Sequence, residues 1–161
     1  MHVYEKLARL CAVLAGLLLT AITLMTCASV LGRNLMDATL AGDFELTGIA
    51  TGLAIALFMP WCQLRQGHII VDFFTANSSQ RTTHLLDRAG CLLMALVMAL
   101  LAWRTGLGGV NAWGNQTGSM LLGFPDWLVY AGMVPPLALT ALISIWQAIG
   151  MLPALGSETP L

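Results

Sequence analysis

Charge is what this sequence has least of. Seven Lys and Arg and eight Asp and Glu make up only 9% of its 161 residues, where a soluble domain carries about a quarter of its residues as these types. So few charges cannot coat a globule, and part of the surface must face lipid. A basic excess is also missing: the net charge of -1 excludes a strongly basic nucleic-acid binder. The four cysteines, Cys11, Cys27, Cys62 and Cys91, form no C-x-x-C pair and no metal-ligand spacing. They lie in or beside apolar runs, as small buried hydrophobes do, and their wide spacing does not suit a membrane thiol oxidase.

Ionisable residues at the middle of a long apolar run, the usual mark of a membrane enzyme or ion-coupled carrier, are not expected here. His2, His68 and His84 fall outside the runs, so no facing pair is available for a bis-His haem. Glu45, the only carboxylate an exporter would find near a helix interior, sits at a boundary. No phosphate-binding glycine motif or nucleophile–base arrangement occurs. No catalytic, cofactor-binding or metal-binding residue is expected, and the chain reads as a scaffold or accessory subunit.

Apolar residues supply 58% of the chain, with a mean hydropathy of +0.80. About 20 helical residues cross about 30 Å of hydrocarbon, and four stretches qualify: approximately 10–31, 46–64, 86–107 and 127–152. The third is the shortest in strict terms, with Ala89–Trp103 between Arg88 and Arg104; both side chains can snorkel, so a helix reaching past them is expected. Pro60 lies near the end of span two, and Pro135-Pro136 should kink span four or break one turn. Span one follows Lys6 and Arg9, but its uncharged run is longer than a signal peptide's h-region, which favours a retained helix.

Orientation follows from the basic residues. Lys6, Arg9, Arg65, Arg81 and Arg88 fall on one side and Arg33 and Arg104 on the other. Both termini are therefore expected inside the cell. The expected fold is an all-α integral membrane protein: one domain over 1–161, four transmembrane helices, N-in and C-in. A short interfacial amphipathic helix is expected between helices two and three, at about 67–77. There Ile69, Ile70, Phe73 and Phe74 recur at helical spacing; an amphipathic loop anchored by the two Phe is the alternative. Asn77-Ser78-Ser79 can cap the helix that follows.

Ala8, Ala12, Gly16 and Thr20 place a small residue at every fourth position of span one, and Gly48-x-x-x-Gly52 does so in span two, with Ala50 and Ala54 on a second stripe. Such stripes allow close helix contact, within this chain or with another; the common use of Gly and Ala in membrane helices explains them equally well. Arg33 follows the last turn of span one, while Asp43, Glu45 and Asp126 stand at helix starts, where their charges suit the helix ends and Asp43 and Asp126 can cap. Helix-end stabilisation accounts for all of them. The sharper alternative is that Arg33 and Glu45 pair across the loop or dock a partner.

The order of these boundary residues resembles a known family. Gly32-Arg33 closes span one, Phe44-Glu45-Leu46 opens span two, Gln66-Gly67-His68-Ile69-Ile70-Val71-Asp72 follows it, and Gly123-Phe124-Pro125-Asp126-Trp127 introduces span four. The pattern is similar to the small permease subunit (DctQ-like) of tripartite ATP-independent periplasmic (TRAP) transporters, over about Arg9–Gly150. The sparse basic content around span three is a departure. The resemblance implies a multi-pass protein of the bacterial inner membrane, in contact with lipid. Its implied partners are a large multi-span permease subunit, which would carry substrate and Na⁺, and a periplasmic binding protein delivering an organic anion, often a carboxylate. It also implies that Gly67, His68 and Asp72 shape the inner interfacial helix and Arg33 and Glu45 the outer interface; Phe73 and Phe74, from their helical spacing, and Gly48 and Gly52, from their small-residue stripe, are further candidates for partner contact. Two other readings stay open: an anchor or assembly subunit of another complex, and a small homodimeric exporter.

Overall fold

The computed structural model describes residues 2–36, 42–65, 80–120 and 122–150. Four helices account for nearly all of them: α1 (His2–Met36), α2 (Asp43–Leu64), α3 (Gln80–Gly114) and α4 (Asp126–Ala148). All four are long and apolar enough to cross a membrane. Among the described residues the only β pairing is the isolated bridge between Gly118 and Pro125. The expected interfacial helix at 67–77, with its proposed cap at Asn77-Ser78-Ser79, lies outside the described residues.

The helices do not close into a square bundle. α2 and α4 lie side by side at the centre, α3 packs on the far side of α4, and α1 packs on the far side of α2. Among the described residues α3 touches neither α1 nor α2, and α1 makes only slight contact with α4. The result is a row, α1–α2–α4–α3, about one helix thick. Central helices are more buried than edge helices for that reason.

Small residues set the close contacts, although not always those the spacing suggests. On α1 the buried positions are Ala8, Ala15 and Ser29, set at multiples of seven. A seven-residue step returns to nearly the same face of a helix, whereas a four-residue step drifts around it. The stripe Ala8, Ala12, Gly16, Thr20 therefore splits: Ala8 is buried, Thr20 is exposed, and a Cβ built on Gly16 meets nothing within 4 Å. Gly48 is exposed and similarly open, while Gly52 packs under Met133 of α4, whose Cε lies 2.9 Å from where a Cβ would sit.

The main small-residue seam is on α3. Ala95, Met98 and Ala112 are buried, and Ala102, Thr105 and Gly109 are half-buried, a three–four alternation that keeps one face toward α4. A Cβ on Gly109 would stand 3.0 Å from Tyr130 Cβ, so glycine lets these backbones approach. On α4, the helix runs unbroken through Pro135 and Pro136, where a broken turn was one expectation. Thr140 and Ser144 back-bond to Pro136 O and Thr140 O at 2.8 and 2.9 Å, satisfying their hydroxyls inside the helix.

Aromatic side chains mark the two ends of the row. At the end holding the α3–α4 connection, here the hairpin end, Trp113 and Trp127 meet edge-on with ring centroids 4.7 Å apart. At the opposite, terminal end, Tyr4 lies against Trp146 at 5.5 Å. There Arg9 and Arg65 stand over Trp61 at 5.9 and 4.9 Å, a cation–π arrangement. Beside them Ala8, Leu64, Leu139 and Ile143 form a buried apolar cluster that joins α1, α2 and α4. Trp127 and Trp146 are nineteen residues apart on α4, about 28 Å at 1.5 Å per residue. That separation matches about 30 Å of hydrocarbon, as expected of interfacial aromatic belts.

Candidate functional site

The polar groups gather at the two ends of the row, and the hairpin end is the more elaborate. Asp43 opens α2, with Gly42 before it as N-cap at φ 87°. Its carboxylate accepts hydrogen bonds from Ser29 Oγ at 2.5 Å and from the Phe44 backbone N–H at 2.6 Å. The guanidinium of Arg33 stands 4.0 Å from the same carboxylate. A buried serine, an acidic first-turn residue and a cation at the end of α1 thus tie α1 to α2, with each charge at the helix end that favours it. Asp43 and Asp126 were expected as candidate caps. Both instead occupy the first helical turn, behind Gly42 and Pro125.

Glu45 serves a different connection. Its carboxylate accepts a hydrogen bond from the Met120 backbone N–H at 3.0 Å, which links the start of α2 to the loop joining α3 and α4. That loop is a compact turn: Ser119 N–H donates to Phe124 O at 2.9 Å, Gly123 N–H to Ser119 O at 3.0 Å, and Asp126 N–H to Thr117 O at 3.2 Å. Leu122 lies over Gly42, where a Cβ would come within 2.8 Å of Leu122 Cγ. Glycine is therefore required at 42 both by its positive φ and by this contact. Arg33 and Glu45 do belong to one surface, and the carboxylate described beside Arg33 is Asp43. Large apolar side chains crown the surface: Met120 is fully exposed and Phe44 is 90% exposed.

At the terminal end, Gln63 of α2 donates from Nε2 to Gln147 Oε1 at 2.8 Å, and Gln147 Nε2 donates to Gln63 O at 3.1 Å. Both side chains are buried, and the mutual pairing satisfies amides that would otherwise be desolvated without partners. This pair has no sequence motif, because the two residues lie on different helices and neither interrupts its apolar run.

One residue corrects the expectation that the spans carry no ionisable group near their middle. Arg104 was placed at the end of span three, but α3 continues to Gly114. Nine residues separate it from Trp113 in the belt, about 14 Å at 1.5 Å per residue. Arg104 therefore lies about midway between the two aromatic ends of the row, and it is exposed. The apolar run ended there because of the charge, and the helix did not.

Among the described residues no three His, Cys, Asp or Glu side chains gather closely enough to hold a metal ion, and the four cysteines are free. Gly67, His68, Asp72, Phe73 and Phe74 lie outside the described residues. Gly48 and Gly52 are on α2, with only Gly52 in contact with a neighbouring helix.

Compared with known families, residues 22–153 match the family described as "Tripartite ATP-independent periplasmic transporters, DctQ component". Comparison with curated proteins and with solved structures returned no match.

Proposed function

Because this chain belongs to the DctQ component family of tripartite ATP-independent periplasmic transporters, we propose that it is the scaffold on which the large permease subunit works. In this reading the large subunit binds Na⁺ and moves an organic anion, a carboxylate, that a periplasmic binding protein delivers. The terminal end of the row faces the cytoplasm of a bacterial inner membrane, and the hairpin end faces the binding protein.

The observation that carries the reading is the row itself. Among the described residues a single layer of helices encloses no central path through which a solute would pass, and it offers broad apolar faces to a neighbour. Its polar contacts tie the helices and the α3–α4 loop together at the ends, through Ser29–Asp43, Glu45–Met120 and Gln63–Gln147, which suits a part that stays fixed while another moves. The latched hairpin end, with Met120 and Phe44 projecting, is the surface proposed to meet the binding protein or the large subunit's outer loops. The 67–77 segment is proposed to lie along the inner membrane surface through Phe73 and Phe74.

Reconstitution in proteoliposomes tests the proposal. Uptake should require this chain, the large subunit, the binding protein and an inward Na⁺ gradient together. Transport by this chain alone would favour the exporter reading instead.

A further inference from the structure

α3 carries two seams. The first, through Ala95, Met98, Thr105 and Gly109, packs on α4. The second runs through Leu93, Val97, Leu100, Arg104, Leu107 and Asn111 at the same three–four alternation, and every one of these residues is exposed. At 3.6 residues per turn the second seam lies nearly opposite the first, so it faces away from the row. With Leu92, Leu96, Trp103 and Val110 also exposed, it belongs to a broad apolar face on which no helix packs among the described residues.

Arg104 stands at the centre of that face and about midway between the aromatic ends of the row, which is mid-depth if those ends mark the membrane surfaces. Among the described residues no hydrogen bond or ion pair reaches it. Long basic side chains near helix ends snorkel to the headgroups, but a charge at mid-depth needs a partner inside the membrane. Among the described residues none supplies one: Glu5, Asp43, Glu45 and Asp126 lie in the first turns of their helices and Asp87 about two turns into α3. A second copy would bring these same carboxylates at the same levels, so they would leave Arg104 unpaired.

We propose that the outward seam of α3 is where the large permease subunit seats, with a carboxylate of that subunit facing Arg104 within the membrane. The inference rests on the function proposed above and adds to it the contacting helix and the residue that sets register. One charge pair at fixed depth aligns two otherwise apolar surfaces, which apolar contact alone specifies weakly.

The test uses the full chain, tagged, in membranes that contain the whole transporter. A photo-reactive amino acid at Leu100, with Arg104 intact, should form a covalent adduct with the large subunit. In separate preparations Arg104→Glu should lower the amount of co-purified large subunit by on the order of tenfold or more, while Arg104→Lys retains most of it. Recovery of the large subunit with wild-type chain, but with Leu100 capturing only lipid or a second copy of this chain, would overturn the seating and leave the family function standing. Full recovery with Arg104→Glu would do the same. Failure of the wild-type chain to recover any large subunit would remove the proposed function and this interface with it.

Discussion

Asp43 ties three groups together at the hairpin end, since Ser29, Arg33 and the Phe44 N–H all converge on it. Asp43→Ala should lower the unfolding temperature in detergent more than Ser29→Ala does, because it releases three partners where the serine releases one. The combined variant should be little worse than Asp43→Ala alone, as expected of residues sharing one network. Gly42→Ala forces a left-handed conformation on a residue with a Cβ, at roughly 1–2 kcal/mol, and drives that Cβ into Leu122; a clear loss of stability in the same assay is expected. For the buried amides, Gln63→Leu or Gln147→Leu alone should destabilise by about 0.6–1.7 kcal/mol. Replacing both should cost less than the sum of the two, because no amide is then left facing a vacant partner. Arg33, Asp43 and Glu45 were legible in the sequence because charges bordering apolar runs stand out. Ser29 and the two glutamines were not, because a polar residue within an apolar run does not show which helix it will face.

At the scale of helices, hydropathy located all four elements, and periodicity left open which of their faces meet within the chain. Small residues at every fourth position looked like a contact stripe on α1, but the face that meets α2 recurs every seventh. The Gly48/Gly52 pair divides in the same way. Gly109→Val should destabilise the α3–α4 contact by about 1–3 kcal/mol, since Tyr130 Cβ has little freedom to withdraw. Gly48→Val should leave the isolated chain's stability unchanged, since its Cβ meets open space. Thermal unfolding of the two variants in one detergent checks the contrast. The far end of α3 was misplaced because Arg104 and the glycines at 106, 108 and 109 depress the hydropathy there, although those glycines help to seat α3 on α4.

For the whole molecule, the arrangement explains why so much apolar surface stays exposed: a row buries its two central helices and leaves its faces and edges for lipid or a partner. Helix number and fold class could be read from composition and hydropathy. The order α1–α2–α4–α3 could not, because it depends on which small faces meet across helices distant in sequence. A scaffold of this kind should not be found alone in its membrane. Mild-detergent purification of the tagged chain from its native membrane, with identification of everything that accompanies it, is the direct test. A much larger multi-span permease in stable association is the predicted result. Recovery of the chain only as a homodimer, or with a haem or flavin protein, would contradict it.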